Sequence, residues 1–439
     1  MPYNIITGRD ESDKKKFGER GLIYLGKGYV KMGQYTSLSN LLFMDVARSH
    51  VVLIAGKRGS GKSYTLGVIA EELANLDKEE AQNLASLIFD TMGIYWTMKF
   101  KNEKEKDLLE EWNLKPKNLP VIVFAPYGYY NSYIEKGIPV DEAFALDVAE
   151  MNSEDWILTF SLDIINPVSV LIERSIIRLK ESYDEYDIND IIDVIRGDTT
   201  TTQENKNAAI GLFEAAKTWG VFADKESDTI PTKVGNLITS GKTTVLDLSV
   251  YNAVGAFNVR AMVISLLSRK IFNERMNARK KEEIEAVSKG LNYLDIGKKR
   301  ESPLVWIMID EAHEFLPQHG KTAATDALIQ LLREGRQPGI SLVLATQQPG
   351  VIHRDVMTQS DIVIAHRVTA APDVTALNQI MQSYLLETIQ KSMDELPDLK
   401  GSAILLDDNS ERIYPIRMRP RFTWHGGEAP TAIRVERTI

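Results

Sequence analysis

The 439-residue chain contains no cysteine. That excludes disulfides, thiolate zinc sites and a cysteine nucleophile, and it is compatible with a reducing compartment. It also lacks any apolar run near the ~18 residues that a membrane-spanning helix requires. Its first residues, MPYNIITGRDESDKKK, mix both charge signs without an apolar stretch of signal-peptide length. A cytoplasmic protein without membrane contact is the expectation. Positive charge is not in excess: 52 basic against 61 acidic residues leave a formal charge of -9. The surface as a whole is therefore no basic nucleic-acid footprint, and any DNA contact has to be local, in a groove or a pore. Internal repeats and low-complexity tracts are missing too. With 44% hydrophobic and 26% charged residues, the composition is that of a globular protein. The length suits two or three structural units, or one core carrying a large insertion.

Residues 1–50 mix short apolar stretches with glycines (GLIYLGKGYVKMGQY), which predicts a short β-rich segment of strands and tight turns. VVLIA at 51–55 then leads through a Gly-rich loop into Leu66, Ile69, Ala70, Leu73 and Leu76, a helical spacing. Continuous apolar runs recur at 87–89, 121–124, 245–248, 304–309, 340–345 and 362–365. Such runs suit strands buried on both faces of a mainly parallel sheet. Between 140 and 240 the long patterns DWILTFSLDII and VSVLIERSIIRLKESY predict a helical insertion. The α/β core is thus expected in two parts, 51–139 and 241–420, followed by a tail at 421–439. The charged stretch 273–302 predicts a solvated helix and a linker.

Gly56-Lys57-Arg58-Gly59-Ser60-Gly61-Lys62-Ser63 fits G-x-x-x-x-G-K-[ST] and lies between an apolar strand and an amphipathic helix, as a P-loop must. Glycines let the backbone N–H groups wrap a phosphate. A chance match somewhere in the chain has a probability of roughly 0.01 to 0.02 at average composition. Gly56, Gly59, Ser60, Gly61, Lys62, Ser63 and the following Tyr64 are the expected nucleotide contacts, with Lys62 on the β- and γ-phosphates of ATP and Ser63 on Mg²⁺. The run at 304–309 ends in Asp310-Glu311, two carboxylates at the carboxyl end of a buried strand, where parallel sheets place their ligand sites. Asp310 is expected on the Mg²⁺ side and Glu311 on the attacking water; the bland alternative is a pair of helix-capping carboxylates. Thr346 or Gln347, after the run at 340–345, is a candidate γ-phosphate sensor, and a polar turn ahead of Pro349 is an equal alternative. Upstream, Gly335 and Pro338 predict a helix end that leaves Arg336 on an exposed turn at the rim of the nucleotide cleft. An arginine so presented is either an ordinary surface residue or a finger for a neighbouring subunit. Arg333 is the reserve.

GKRGSGKSYT, IDEAHEFLP, LLREGRQPGISLVLATQQP and a late HGG together resemble the HerA branch of the HerA/FtsK ATPases, over most of residues 41–427. The resemblance implies a RecA-like P-loop NTPase fold and a homohexameric ring with ATP sites between subunits. It also implies a channel that translocates double-stranded DNA and a partner nuclease of the NurA type. Carried over by motif, Lys62 and Ser63 are nucleotide-loop residues, Asp310 and Glu311 the Mg²⁺ and water residues, Gln347 the polar sensor and Arg336 the finger in trans. Only 55 residues precede Gly56, so the family's amino-terminal β-barrel is expected to be abbreviated. Where the family tends to show an aspartate, a glycine, an acid and an aromatic after the second strand, this chain has Asp90-Thr91-Met92-Gly93-Ile94-Tyr95, with Ile94 in the acidic place. Asp90 is kept as a site candidate, and Arg58 adds a cation to the loop.

Asp310-Glu311-Ala312-His313 also spells the signature of two-lobed superfamily 2 helicases, but only 126 residues follow His313, too few for a second lobe. His313 is then expected to be an ordinary helix-start residue. A second functional alternative is an ATPase that gates an effector or defence partner instead of moving along DNA. Stimulation of hydrolysis by duplex DNA separates the two.

Overall fold

A computed structural model describes residues 3–32, 35–225, 229–252, 257–289, 300–381 and 389–427. Its strands are β1 (Ile5–Thr7), β2 (Leu22–Met32), β3 (Tyr35–Asp45), β4 (Val51–Ala55), β5 (Leu84–Asp90), β6 (Val121–Pro126), β7 (Glu142–Phe144), β8 (Thr243–Asp247), β9 (Leu304–Ile309), β10 (Ile340–Thr346), β11 (Ile362–His366), β12 (Ser402–Asp407) and β13 (Arg412–Met418). They form one sheet in the order β1-β3-β2-β13-β12-β11-β4-β10-β9-β5-β8-β6-β7. From β11 to β7 all neighbours are parallel, so the carboxyl ends of these strands share one edge.

Each apolar run does the work expected of a doubly buried strand. In β4, Val51, Leu53 and Ala55 enter one core, and Val52 and Ile54 enter the other. The helix Lys62–Ala74 covers the second face with Leu66, Val68, Ile69, Ala70 and Leu73. The first face is covered by the long helix Phe257–Lys289, the helix Thr325–Glu334 and the insertion. A fully buried side chain of this size contributes ~1.5–3 kcal/mol.

The amino-terminal strands extend the sheet: β2 and β3 form a long antiparallel hairpin, and β2 pairs antiparallel with β13. Glycine is required at Gly26, where a Cβ would lie within 2.1 Å of the Arg417 carbonyl. The insertion contains the helices Ser153–Thr159, Pro167–Ser182, Ile188–Gly197 and Gln203–Lys217, the last three capped by Asn166, Asp187 and Thr202 side chains. It opens with β7, a strand too short to leave a periodic signal.

The charged stretch beginning at Asn273 forms the solvated helix expected of it, exposed or half-exposed over most of its length, with a departure at Arg275. It continues the long helix, and Arg275 is fully buried, donating to the carbonyls of Pro338 (2.9 Å) and Ser302 (2.7 Å). Two carbonyls left over at strand approaches take Nε and Nη1 of a guanidinium that periodicity alone places in solvent, while its Nη2 is buried without a hydrogen-bond partner among the described residues. The expected linker falls at 290–299, outside the described residues. Arg421–Thr423, at the start of the stretch read as a tail, is buried against Glu71 of the helix Lys62–Ala74.

Candidate nucleotide site

The loop between β4 and the helix Lys62–Ala74 is shaped by left-handed glycines, Gly59 at φ 75° and Gly61 at φ 110°. A Cβ on Gly56 would meet Ser60 Oγ at 2.4 Å and His366 Cβ at 2.7 Å, so the turn closes only around glycine. The loop is pinned from both flanks: Gly56 N donates to the Thr346 carbonyl at the end of β10, and Lys57 N to the Arg367 carbonyl just past β11. Beneath it, His366 is fully buried. Its Nδ1 faces the Ser402 carbonyl (3.1 Å) and its Nε2 the Thr65 hydroxyl (2.8 Å). Burial holds its pKa down to about 4, so the ring is neutral, with the proton on Nδ1 toward the carbonyl and Nε2 accepting from Thr65.

Lys62 is buried, and its Nζ donates to the Lys57 carbonyl at 3.3 Å. Burial lowers its pKa, while Glu311 and Asp310 act to raise it. Asp310 and Glu311 leave β9 beside the loop. Asp310 is buried: one oxygen accepts from Glu311 N (2.9 Å) and the other from the Tyr95 hydroxyl (3.1 Å). Neither is a helix cap, since Glu311 makes no side-chain cap to the turn Ala312–Glu314. Glu311 holds a left-handed backbone at φ 52°, ψ 43°, uncommon for a residue with a side chain. Burial and the neighbouring Asp310 push its carboxyl up to about 7, against the pull of Lys62 and a hydrogen bond from the Gln347 amide. Among the described residues its Oε2, 3.6 Å from His313 Nδ1, and Ser60 Oγ are buried without a hydrogen-bond partner. Unpaired buried oxygens beside a buried lysine and a glycine cradle fit a triphosphate with its attacking water. Ser63 at the helix start and the Asp310 carboxylate are hard oxygen donors of the kind Mg²⁺ takes.

Several residues stand elsewhere than expected. Thr346 Oγ1 lies 3.3 Å from His313 Nδ1 and accepts from Gln348 N, so His313 belongs to the site's hydrogen bonding. Gln347 is half-buried, and it meets Glu311 through its backbone amide. Arg58 is exposed. Asp90 faces its own turn, accepting from the amides of Met92, Gly93 and Tyr95. Burial and the adjacent Asp247 raise its pKa. Arg336 is not on the rim of its own cleft. It precedes β10, so it lies at the opposite edge of the sheet from Thr346, roughly 20 Å away at strand rise. There its Nη2 donates to the Gln359 carbonyl (3.1 Å) and lies 3.3 Å from Asp361. The helix end was legible, but which sheet edge it faces follows from the direction of β10. Arg333 is paired with Asp355 at 2.5 Å.

Tyr95, His366 and Glu71 were not singled out from the sequence. Each is a common residue type in an apolar or amphipathic context, and only the pairing across strands brings it to the loop. Tyr64, the last of the expected contacts, donates to Glu105 and lies edge-on to His425, at 5.3 Å between ring centres.

A family model for the central domain of the helicase HerA matches residues 34–271, more than half of the chain. The chain belongs to the HerA family. The matched span contains the P-loop and ends before β9. A probable helicase of Methanocaldococcus jannaschii is 24% identical over 410 residues, covering 92% of this chain and 67% of that protein. The DNA double-strand break repair helicase HerA of Sulfolobus acidocaldarius is 24% identical over 354 residues, covering 80% of this chain and 59% of the relative. The chain thus spans about three fifths to two thirds of the length of these HerA-family relatives. Among solved structures, VirB4 of Thermoanaerobacter pseudethanolicus superposes with a TM-score of 0.54 at 11% identity, covering 90% of this chain and 96% of that one. The bacterial conjugative coupling protein TrwBdeltaN70 gives 0.50 at 12% identity, covering 93% and 96%. At that identity both speak to the fold, and the fold is the RecA-like one expected. This HerA-family chain is a P-loop ATPase. No helix among the described residues is long and apolar enough to cross a membrane.

Proposed function

We propose that the chain is one subunit of a homohexameric ring motor that hydrolyses ATP to move along double-stranded DNA, working with a nuclease of the NurA type. The observation that carries the reading is the convergence of Lys62, Asp310 and Glu311 at one sheet edge, while Arg336 stands at the other. A subunit stacked head-to-side on the next would bring that second edge to its neighbour's phosphates.

In this reading the loop amides, Ser60 and Lys62 hold the phosphates, and Ser63 and Asp310 hold Mg²⁺. The cation neutralises charge on the transferring group. Glu311 accepts the proton of the attacking water, a task suited to a carboxyl raised to about 7. Gln347 orients that water, and Arg336 of the neighbouring subunit offsets charge on the γ-phosphoryl group.

Lys62→Ala and Glu311→Gln should each abolish phosphate release, with Glu311→Gln still binding ATP by calorimetry because only the proton acceptor is altered. Wild-type turnover in Glu311→Gln would remove that residue from the mechanism. Because the chain carries a net charge of -9, DNA binding should need the assembled ring and weaken steeply with salt. Fluorescence anisotropy with a labelled duplex checks this across a salt series. No binding by the assembled ring at ~50 mM salt, or binding independent of salt, would oppose a translocase. Hydrolysis indifferent to duplex DNA would favour the effector-gating reading.

A further inference from the structure

The Tyr95 hydroxyl sits between two groups that the nucleotide site uses. It lies 3.1 Å from Asp310 Oδ2 and 3.3 Å from the Ser63 carbonyl, and Tyr95 is fully buried. The P-loop helix and the end of β9 approach each other here, and among the described residues no other side chain bonds both. Tyr95 is placed by a built turn. Asp90 Oδ2 accepts from Tyr95 N at 2.7 Å, and Asp90 Oδ1 accepts from Gly93 N at 2.7 Å and Met92 N at 3.2 Å. Gly93 has φ 69°, and a Cβ there would come within 2.6 Å of Ser249 Oγ, so the turn accepts only glycine. The short helix Tyr95–Lys99 thus begins at a fixed point, and the ring is held among the apolar residues under the P-loop helix.

We infer that Tyr95 is a positioning residue whose hydroxyl sets Asp310 and Ser63 in the mutual geometry that Mg²⁺ binding needs, with Asp90 fixing Tyr95 in turn. With Glu311 N on one oxygen and Tyr95 on the other, the Asp310 carboxylate has lost its rotation and keeps lone pairs for a cation's water shell. The hydroxyl carries one proton, so the Ser63 carbonyl at 3.3 Å shares it as the second, weaker acceptor of a bifurcated bond whose main acceptor is Asp310, and this links the first turn of the helix to the carboxylate. Mg²⁺ demands near-ideal octahedral geometry, so small losses of orientation cost affinity.

The inference rests on the reading of Asp310 and Ser63 as Mg²⁺ partners, and the test separates the two. ATP affinity is measured by calorimetry in EDTA and across a Mg²⁺ series for the wild type, Tyr95→Phe, Asp310→Asn and Ser63→Ala. Tyr95→Phe keeps the ring and its packing, so its affinity in EDTA should stay at the wild-type value, with a small fall in melting temperature from the bond lost to the buried Asp310. Its Mg²⁺ half-saturation should rise about threefold to tenfold, the net worth of one ordinary hydrogen bond. A Mn²⁺ titration followed by electron paramagnetic resonance in the presence of ATP should show the same displacement. Wild-type half-saturation in Tyr95→Phe, with Asp310→Asn displaced, overturns the role of Tyr95 alone. Wild-type half-saturation in Asp310→Asn and Ser63→Ala overturns the metal reading and the inference with it. A purely structural role would instead lower affinity in EDTA and in Mg²⁺ alike.

Discussion

His50, at the entry to β4, stands between two carboxylates, with Nδ1 2.7 Å from Asp361 and Nε2 3.1 Å from Asp45. Arg9 is bonded to Asp45, and Arg336 approaches Asp361. Burial acts to lower the imidazole pKa, but the two carboxylates outweigh it and raise it from 6.5 to about 9. Both ring nitrogens then donate, and the group is an imidazolium in the folded state. A histidine raised on folding contributes stability that is present in full below its unfolded value of 6.5 and lost as pH rises through about 9. Asp45 and Asp361 are lowered, so their share is present above the ordinary value of 3.8 and lost on acidification below it. The wild type should therefore lose on the order of 2–3 kcal/mol between pH 6.5 and 9, read as a falling denaturation midpoint. His50→Gln should be less stable at pH 6 and nearly flat over the same interval. A wild-type midpoint that does not move in that window would show that His50 is not charged in the fold.

The helix Lys62–Ala74 serves the site through its first turn and the fold through its last. Glu71 is fully buried and accepts from Arg419 Nη1 and Arg421 Nε, each at 3.0 Å, and from the amides of Phe422 and Thr423, each at 2.9 Å. Burial raises its pKa, but the two guanidinium groups and Thr423 outweigh this and hold it low. Removing Glu71 leaves Arg421 charged without its carboxylate in the interior and Arg419 with Glu72 alone at 2.9 Å, so Glu71→Ala should destabilise the chain by ~3–5 kcal/mol in a denaturant titration. A loss below ~1 kcal/mol would mean that water enters to solvate both arginines. Legibility varied by element for a physical reason. Strands β4, β5, β6 and β8–β11 are buried on both faces and leave continuous apolar runs, so they were readable. β13 pairs antiparallel at the margin of that block, where half-exposed residues break the run, and it was not read; β12 is buried from Ala403 to Asp407, and its short apolar run at 403–406 was overlooked.

For the whole molecule, the decisive feature is polarity: a parallel sheet has one edge for phosphates and a second edge that the same subunit cannot bring to them. Arg336 on that second edge is half exposed and lies 3.3 Å from Asp361. If it acts in trans, Arg336→Ala and Glu311→Gln subunits, each inactive alone, should recover part of the hydrolysis when mixed into common rings, because some interfaces join an intact Glu311 to an intact Arg336. Removal of such a finger costs roughly 10³ to 10⁵ in rate. Full activity of Arg336→Ala by itself, or no recovery in rings shown by mass to be mixed, would refute the assignment. Recovery with Arg333→Ala in its place would move the finger to that residue.

What the sequence by itself determined is what local chemistry encodes. Gly56 to Ser63 define a phosphate loop because glycine placement is a backbone property, and Asp310-Glu311 mark a strand end because a buried run cannot continue through two carboxylates. Helices such as Ser153–Thr159 and Pro167–Ser182 followed from periodicity in the same way. Only the tertiary structure decided how separated segments meet. Strand pairing set Tyr95 against Asp310 and His366 beneath the loop, and the direction of β10 carried Arg336 to the far edge. Buried charges such as Arg275, Glu71 and Arg421 found partners hundreds of residues away or at strand approaches. A charge in a sequence reads as solvated until its partner is located, and location is a property of the fold.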